Sequence, residues 1–162
     1  MTKTIVLYFS STGTTKQLAE IIANKLATEM VELKALEPYS PADLNWHDEQ
    51  ARTTIEQHEH HSRVPVDPQT LPDLTGYDQV IIGHPIWWGI PPRLIADTID
   101  HLDLNGKVLA PFATSGGSTY SRSQSFIERT IQENNYQTTV KTGQILHNTN
   151  DVDQWLKAIN FI

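Results

Sequence analysis

The stretch Ile5-Val6-Leu7-Tyr8-Phe9-Ser10-Ser11-Thr12-Gly13-Thr14-Thr15 joins a continuous apolar run to a hydroxyl-rich loop. The run is rich in β-forming residues and shows no polar alternation, which predicts a strand covered on both faces. Just beyond the loop, Leu18, Ile21, Ile22 and Leu26 recur at helical spacing, so the loop opens into an amphipathic helix. Val80 to Gly83 and Val108 to Phe112 repeat the apolar run. Each is followed by a helical pattern, first Leu94, Ile95, Thr98, Ile99 and Leu102, then Phe126, Ile127 and Ile131. A last helix is expected with Asn150 as its N-cap, Asp151 and Asp153 in its first turn, and a stripe of Val152, Trp155, Leu156 and Ile159 running to the C-terminus.

Two further segments suit the edges of a sheet: Met30 to Leu36, which alternates, and Thr138 to Leu146, which is mostly polar. With the apolar strands inside and these two outside, the chain is an α/β protein with a five-stranded parallel sheet of order 2-1-3-4-5. Its ligand crevice then lies at the carboxyl ends of strands one and three. Pro111 should stand near the carboxyl end of the fourth strand, because proline cannot donate to a ladder. Residues 37–78 are the least regular stretch. Ser40-Pro41-Ala42-Asp43 offers a helix start, and Asp48 to His58 lacks Gly and Pro, so one or two short helices are expected there. Pro65, Pro68 and Pro72 then impose an extended approach to the third strand.

The 162 residues, 38% of them hydrophobic and 19% charged, suit a single domain over 1–162 with one sizeable core. With no cysteine, disulfide scaffolds, thiolate metal sites and thiol-based catalysis are excluded, and any redox chemistry must be carried by a cofactor. Twelve Lys+Arg against nineteen Asp+Glu give a net charge of −7, which argues against a nucleic-acid partner and favours a basic protein or a neutral substrate. The apolar run at the start is too short for a signal-peptide core or a membrane span, so a cytoplasmic protein without membrane insertion is expected, monomeric or weakly dimeric.

Three loops at successive strand ends carry the chemistry. Ser10 to Thr15 sits at a helix N-terminus, where free N–H groups and hydroxyls can surround an anion and Gly13 permits close approach. The loop lacks the GxxxxGK[ST] and GxGxxG patterns, and a phosphate monoester held by neutral donors fits it better than a magnesium–nucleotide. After the third strand come Pro85, Ile86, Trp87, Trp88 and Gly89, an aromatic wall for a flat ring, with Pro91 and Pro92 starting the next helix. After the fourth come Thr114, Ser115, Gly116 and Gly117, with Tyr120 a little further on; glycines here admit a planar ligand and hydroxyls meet its polar edge. Taken singly, each loop has a plainer explanation, as a capped helix start, as core tryptophans or as an ordinary turn. Together they describe a site for an aromatic ring with a phosphate tail. A phosphate-accepting receiver domain has the same strand order, but it needs acids where Ser10 and Ser11 stand.

Over nearly its whole length the sequence resembles a short-chain flavodoxin of a bacterial subgroup. Ser10-x-Thr12-Gly13-x-Thr15 is similar to the flavodoxin phosphate loop, Pro85 to Gly89 to the first ring-binding loop and Thr114 to Gly117 to the second. The resemblance implies a flavodoxin-like three-layer sandwich binding FMN. Ser10, Thr12 and Thr15 would give side-chain donors to the phosphate, and Ser11, Gly13 and Thr14 backbone donors. It implies a low-potential electron carrier between a reductase and an acceptor enzyme. An FMN-dependent NAD(P)H:quinone oxidoreductase and a non-redox binding or regulatory module are the alternatives. The second loop departs from many flavodoxins in offering glycines where a stacking aromatic often stands. His47, His58, His60 and His61 invite a metal reading, but Glu56, Gln57, Glu59, Ser62 and Arg63 around them describe a solvated polar segment, and no metal is expected.

Overall fold

The apolar runs form the middle of a parallel sheet of strand order 2-1-3-4-5, the order expected from the sequence. A computed structural model describes residues 2–59 and 61–162. Its elements are β1 (Thr4–Tyr8), α1 (Thr14–Leu26), β2 (Glu29–Glu32), α2 (Arg52–His58), β3 (Gln79–Pro85), α3 (Arg93–Asp100), β4 (Val108–Thr114), α4 (Ser121–Glu133), β5 (Thr139–Val140), β6 (Gln144–Ile145) and α5 (Thr149–Ala158), with a 3-10 turn at Pro68–Thr70.

Alternate residues of each central strand feed two separate cores. Ile5, Leu7, Val80, Ile82 and Leu109 face a layer built on Leu94, Ile95 and Ile99 of α3 and Phe126, Ile127 and Ile131 of α4. Val6, Tyr8, Ile81, Ala110 and Phe112 face Leu18 and Ile22 of α1 and Val152, Trp155 and Leu156 of α5. Burial on both faces is why these strands carry no polar alternation. Gly83 leaves room for the Phe112 ring, whose Cζ lies 2.2 Å from where a Cβ would stand.

Both edge strands differ from the sequence expectation. β2 ends at Glu32; Leu33 N still donates to Tyr8 O (2.7 Å), but Leu36 N then donates to Pro65 O and Asp67 N to Lys34 O, with an antiparallel bridge between Ala35 and Val66. The extended 65–67 segment thus covers the edge where 34–36 leave β1. The fifth strand is split into β5 and β6, both paired with β4. The cause lies in Pro111, which stands in the middle of β4, opposite Ile82, rather than at its end. Leu109 O accepts from Lys141 N and Ala113 O from Leu146 N, so the odd-numbered residues of β4 aim at the fifth strand. The missing Pro111 donor falls on the break at 141–143.

Helix ends also moved. The α5 N-cap is Asn148, whose side chain accepts from Asp151 N, not Asn150, and the helix stops at Ala158 short of the terminus. Ser40 and Asp43 do exchange backbone-to-side-chain hydrogen bonds (3.0 and 3.1 Å) but close only a turn. The helix of this region is α2, within the Gly- and Pro-free stretch.

Candidate functional site

At the carboxyl end of β1 the hydroxyl-rich loop is held open by its own first residue. Ser10 Oγ accepts from Gly13 N (3.0 Å) and Lys16 N (3.3 Å), and Gly13 adopts φ +93°, a left-handed conformation that suits glycine. Ser11 is half-buried, and Thr12 and Thr14 are exposed with their hydroxyls 3.4 Å apart. Thr15 is turned inward, its hydroxyl 2.8 Å from that of Thr114 in a buried pair. This contact ties the first loop to the third across 99 residues of sequence.

The loop after β3 is a tight hairpin. Trp87 N donates to Ile90 O (2.9 Å) and Ile90 N to Trp87 O (3.4 Å), and the two residues between them, Trp88 and Gly89, have φ of +53° and +84°. Two consecutive positive φ values define a primed turn, usually Asn-Gly; a tryptophan at its first position carries strain. The two indoles have different roles. Trp87 packs edge-on against Phe9 and Tyr39, at 5.9 and 5.4 Å between ring centres, while Trp88 caps the turn with its ring 5.3 Å from that of His58. A Cβ on Gly89 would meet Arg122 Nη1 at 2.6 Å.

Between the second and third loops lies a cavity of about 840 Å³ lined by Ile86, Trp87, Trp88, Ser115, Gly116, Gly117 and Ser118. Its remaining wall, Leu44, Trp46 and Thr53, comes from the irregular segment. Trp46 is 65% exposed and stacks on His47 at 3.7 Å. No periodicity in the sequence marks Trp46, although a tryptophan in so polar a stretch is itself a signal. Pro85, Gly89 and Thr114 do not line the cavity, nor do Ser10 to Thr15, which form a separate hydroxyl-rich loop after β1.

Tyr120 is a correction. It is buried, and its ring occupies the space over Gly143, where a Cβ would lie 2.3 Å from Cε2. Its hydroxyl donates to His84 Nε2 (2.9 Å), which takes it away from the cavity. His84 Nδ1 lies 2.8 Å from Pro85 O, a group that only accepts, so Nδ1 carries the proton and Nε2 is the acceptor. Burial pushes His84 down to about 4 against the weaker upward pull of the Pro85 bond, and burial pushes the Tyr120 phenol well up. Both stay neutral, a buried polar pair that fixes the first carbonyl of the ring loop.

Gln57 is a second correction, because the supposedly solvated segment buries it. Its amide donates to Trp87 O (3.0 Å) and Pro91 O (3.1 Å) and accepts from Arg93 N (3.1 Å). One side chain thereby pins α2, the ring loop and the start of α3. Arg52 holds the same segment from the other side, bonding Glu56 (2.9 Å), donating to Glu37 O (2.8 Å) and lying over the Tyr39 ring. His47 and His58 are engaged with Trp46 and Trp88, and His60 lies outside the described residues. Among the described residues no group of three His, Asp or Glu is placed to hold a metal, and no helix is long and apolar enough to cross a membrane.

A hydroxyl-rich loop at a helix N-terminus, an indole-walled cleft and a glycine loop stand at the carboxyl ends of a 2-1-3-4-5 sheet, the layout of a flavodoxin-like fold. The flavodoxin family model matches residues 3–159, and the chain belongs to that family. Similar solved structures include a candidate flavoprotein from Bacteroides eggerthii, 31% identical, with 99% of each chain covered and a TM-score of 0.87. A second, from Bacteroides uniformis, is 35% identical over 96% of this chain and 98% of that one, also at 0.87. A flavoprotein of Lactobacillus acidophilus in complex with FMN is 27% identical over 96% and 99%, with a TM-score of 0.70. No curated protein matches. Family membership and the FMN-bound relative support the expectation of FMN.

Proposed function

We propose that the chain binds FMN and serves as a low-potential electron carrier between a reductase and an acceptor enzyme. One observation carries this reading: the Thr15 and Thr114 hydroxyls, which follow β1 and end β4 on either side of β3, lie 2.8 Å apart and join the hydroxyl-rich loop to the loop whose Ser115 to Ser118 line the indole-walled cavity. FMN, when bound, supplies the redox chemistry by accepting and releasing electrons. The chain's residues bind and orient it. Ser10, Ser11, Thr12 and Thr14 offer neutral donors to the phosphate, whereas Gly13 N is taken by Ser10 Oγ and Thr15 is turned inward to Thr114, against the donor roles expected of both; Trp87 and Trp88 wall the ring, and Gly116 and Gly117 let the main chain approach. Trp46 supplies an aromatic surface where the second loop has glycines, so the wall missing from that loop comes from the 37–58 segment. The net charge of −7 disfavours further negative charge at the ring, which lowers the potential and steers basic partners to the surface.

The test is a spectrum and a titration. Purified protein should show bound-flavin absorption, and calorimetry should detect FMN association that weakens when Ser10 or Thr12 is replaced by alanine. A colourless protein that fails to take up FMN would favour a non-redox module. Steady NAD(P)H consumption without a separate reductase would favour a quinone reductase over a carrier.

A further inference from the structure

A second cavity, of about 520 Å³, opens on the other side of Trp88. The chain has five arginines, at 52, 63, 93, 122 and 129, and four of them, all but Arg52, line this one cavity. No lysine joins them, and the only carboxylate in the lining is Glu133. In a protein of net charge −7 such a concentration of one sign needs a cause.

Internal ion pairing does not supply it. Arg63 is neutralised by Asp100 (2.8 Å) and Glu133 (3.7 Å), but Arg93, Arg122 and Arg129 make no ion pair among the described residues. Arg93 is only 6% exposed, and its Nε has no hydrogen-bond partner there, although Nη2 donates to Gln57 O (2.8 Å). Burial, then Arg63 and Arg129, lower its affinity for its proton, the mark of a cation held without an anion. Arg93 and Arg129 both lie over the Phe126 ring, at 5.5 and 5.9 Å, which keeps the two guanidinium groups on a common support. Arg122 Nη1 donates to Trp88 O (3.3 Å) and so links this cluster to the turn that separates it from the first cavity.

Guanidinium forks match the oxygens of phosphate, and three unpaired cations suit a ligand of two or more negative charges; one carboxylate would leave most of them uncompensated. The concave shape and volume suit a small molecule, whereas a nucleic acid would require an extended basic face. We propose that this cavity is a second anion site, taking the phosphate or pyrophosphate group of a small molecule brought alongside the cleft at Trp88. The site is separate from the hydroxyl-rich loop, and its existence does not depend on FMN binding.

Isothermal calorimetry on the full chain, with and without saturating FMN, tests this with inorganic pyrophosphate and with adenosine 2′,5′-bisphosphate. Arg129→Gln and Arg122→Gln change exposed side chains, and circular dichroism checks that each variant is folded. Binding of either probe in the presence of FMN, weakened about tenfold or more by Arg129→Gln, supports the site. Tighter binding of the bisphosphate assigns it to a nucleotide-borne phosphate; tighter binding of pyrophosphate assigns it to a free one. No association of either probe at millimolar concentration, or equal affinity in wild type and both variants, overturns it.

Discussion

Acid should unfold this protein in part through a single imidazole. His84 is wholly buried, and burial lowers it from 6.5 to about 4. As pH falls, the unfolded chain therefore takes up a proton that the folded chain refuses. Stability from this group is complete above about pH 6.5 and drains away towards pH 4, the direction set by a folded value below the unfolded one. At about 1.4 kcal/mol per unit, the whole loss is on the order of 3 kcal/mol, most of it spent by about pH 4.5. That is a large share of the ~5–15 kcal/mol that holds a typical domain folded. Urea unfolding at about pH 7.5 and pH 4.5 measures it, compared with His84→Asn, whose amide can still donate to Pro85 O. The variant should be weaker at neutral pH, because the Tyr120 hydroxyl loses its acceptor, yet lose roughly 2–3 kcal/mol less on acidification. Equal losses in the two proteins would refute the assignment of acid sensitivity to this residue.

Other substitutions separate binding from folding. Ser10→Ala removes the acceptor for Gly13 N and Lys16 N and should weaken FMN binding about tenfold in calorimetry. Trp46→Ala should leave urea stability within about 0.5 kcal/mol, since the residue is mostly exposed, and weaken FMN binding about three- to tenfold. Gln57→Leu strands two carbonyls and the Arg93 amide, so a loss of at least about 2 kcal/mol is expected in the same unfolding assay. Gly83→Ala drives a methyl into the Phe112 ring, and a fall of about 1–3 kcal/mol should appear without any change in the loops.

The legible part of the fold was the part written by burial. β1, β3 and β4 are covered on both faces and could only be continuous apolar runs, and their order fixed where the three loops would meet. Trp46 and Gln57 escaped because no periodicity places them. Their segment is shaped by tertiary bonds, Arg52 to Glu37 O, Thr53 to Asp43 O and Gln57 to Trp87 O, between residues far apart in sequence. Tyr120 misled for a similar reason. Its neighbours Ser118, Thr119 and Ser121 read as an open loop, while its position is set by a histidine 36 residues earlier.

The split fifth strand and the ring loop are connected by the same set of contacts. Pro111 removes a ladder donor from the centre of β4, and the facing chain bulges at 141–143 instead of pairing. Side chains take up several of the freed backbone groups. Gly143 N donates to Gln124 Oε1 (2.7 Å), Lys141 O accepts from Gln124 Nε2 (3.1 Å), and Thr142 O accepts from Trp155 Nε1 (3.0 Å). Gly143 alone has no side chain to fill the space, so the Tyr120 ring enters there and its hydroxyl reaches His84. His84 in turn fixes Pro85 O at the head of the turn that strains Trp88. A regular fifth strand, with a donor at 111 and a side chain at 143, would have no place for Tyr120. The interruption of the sheet is therefore part of what holds the aromatic wall in position.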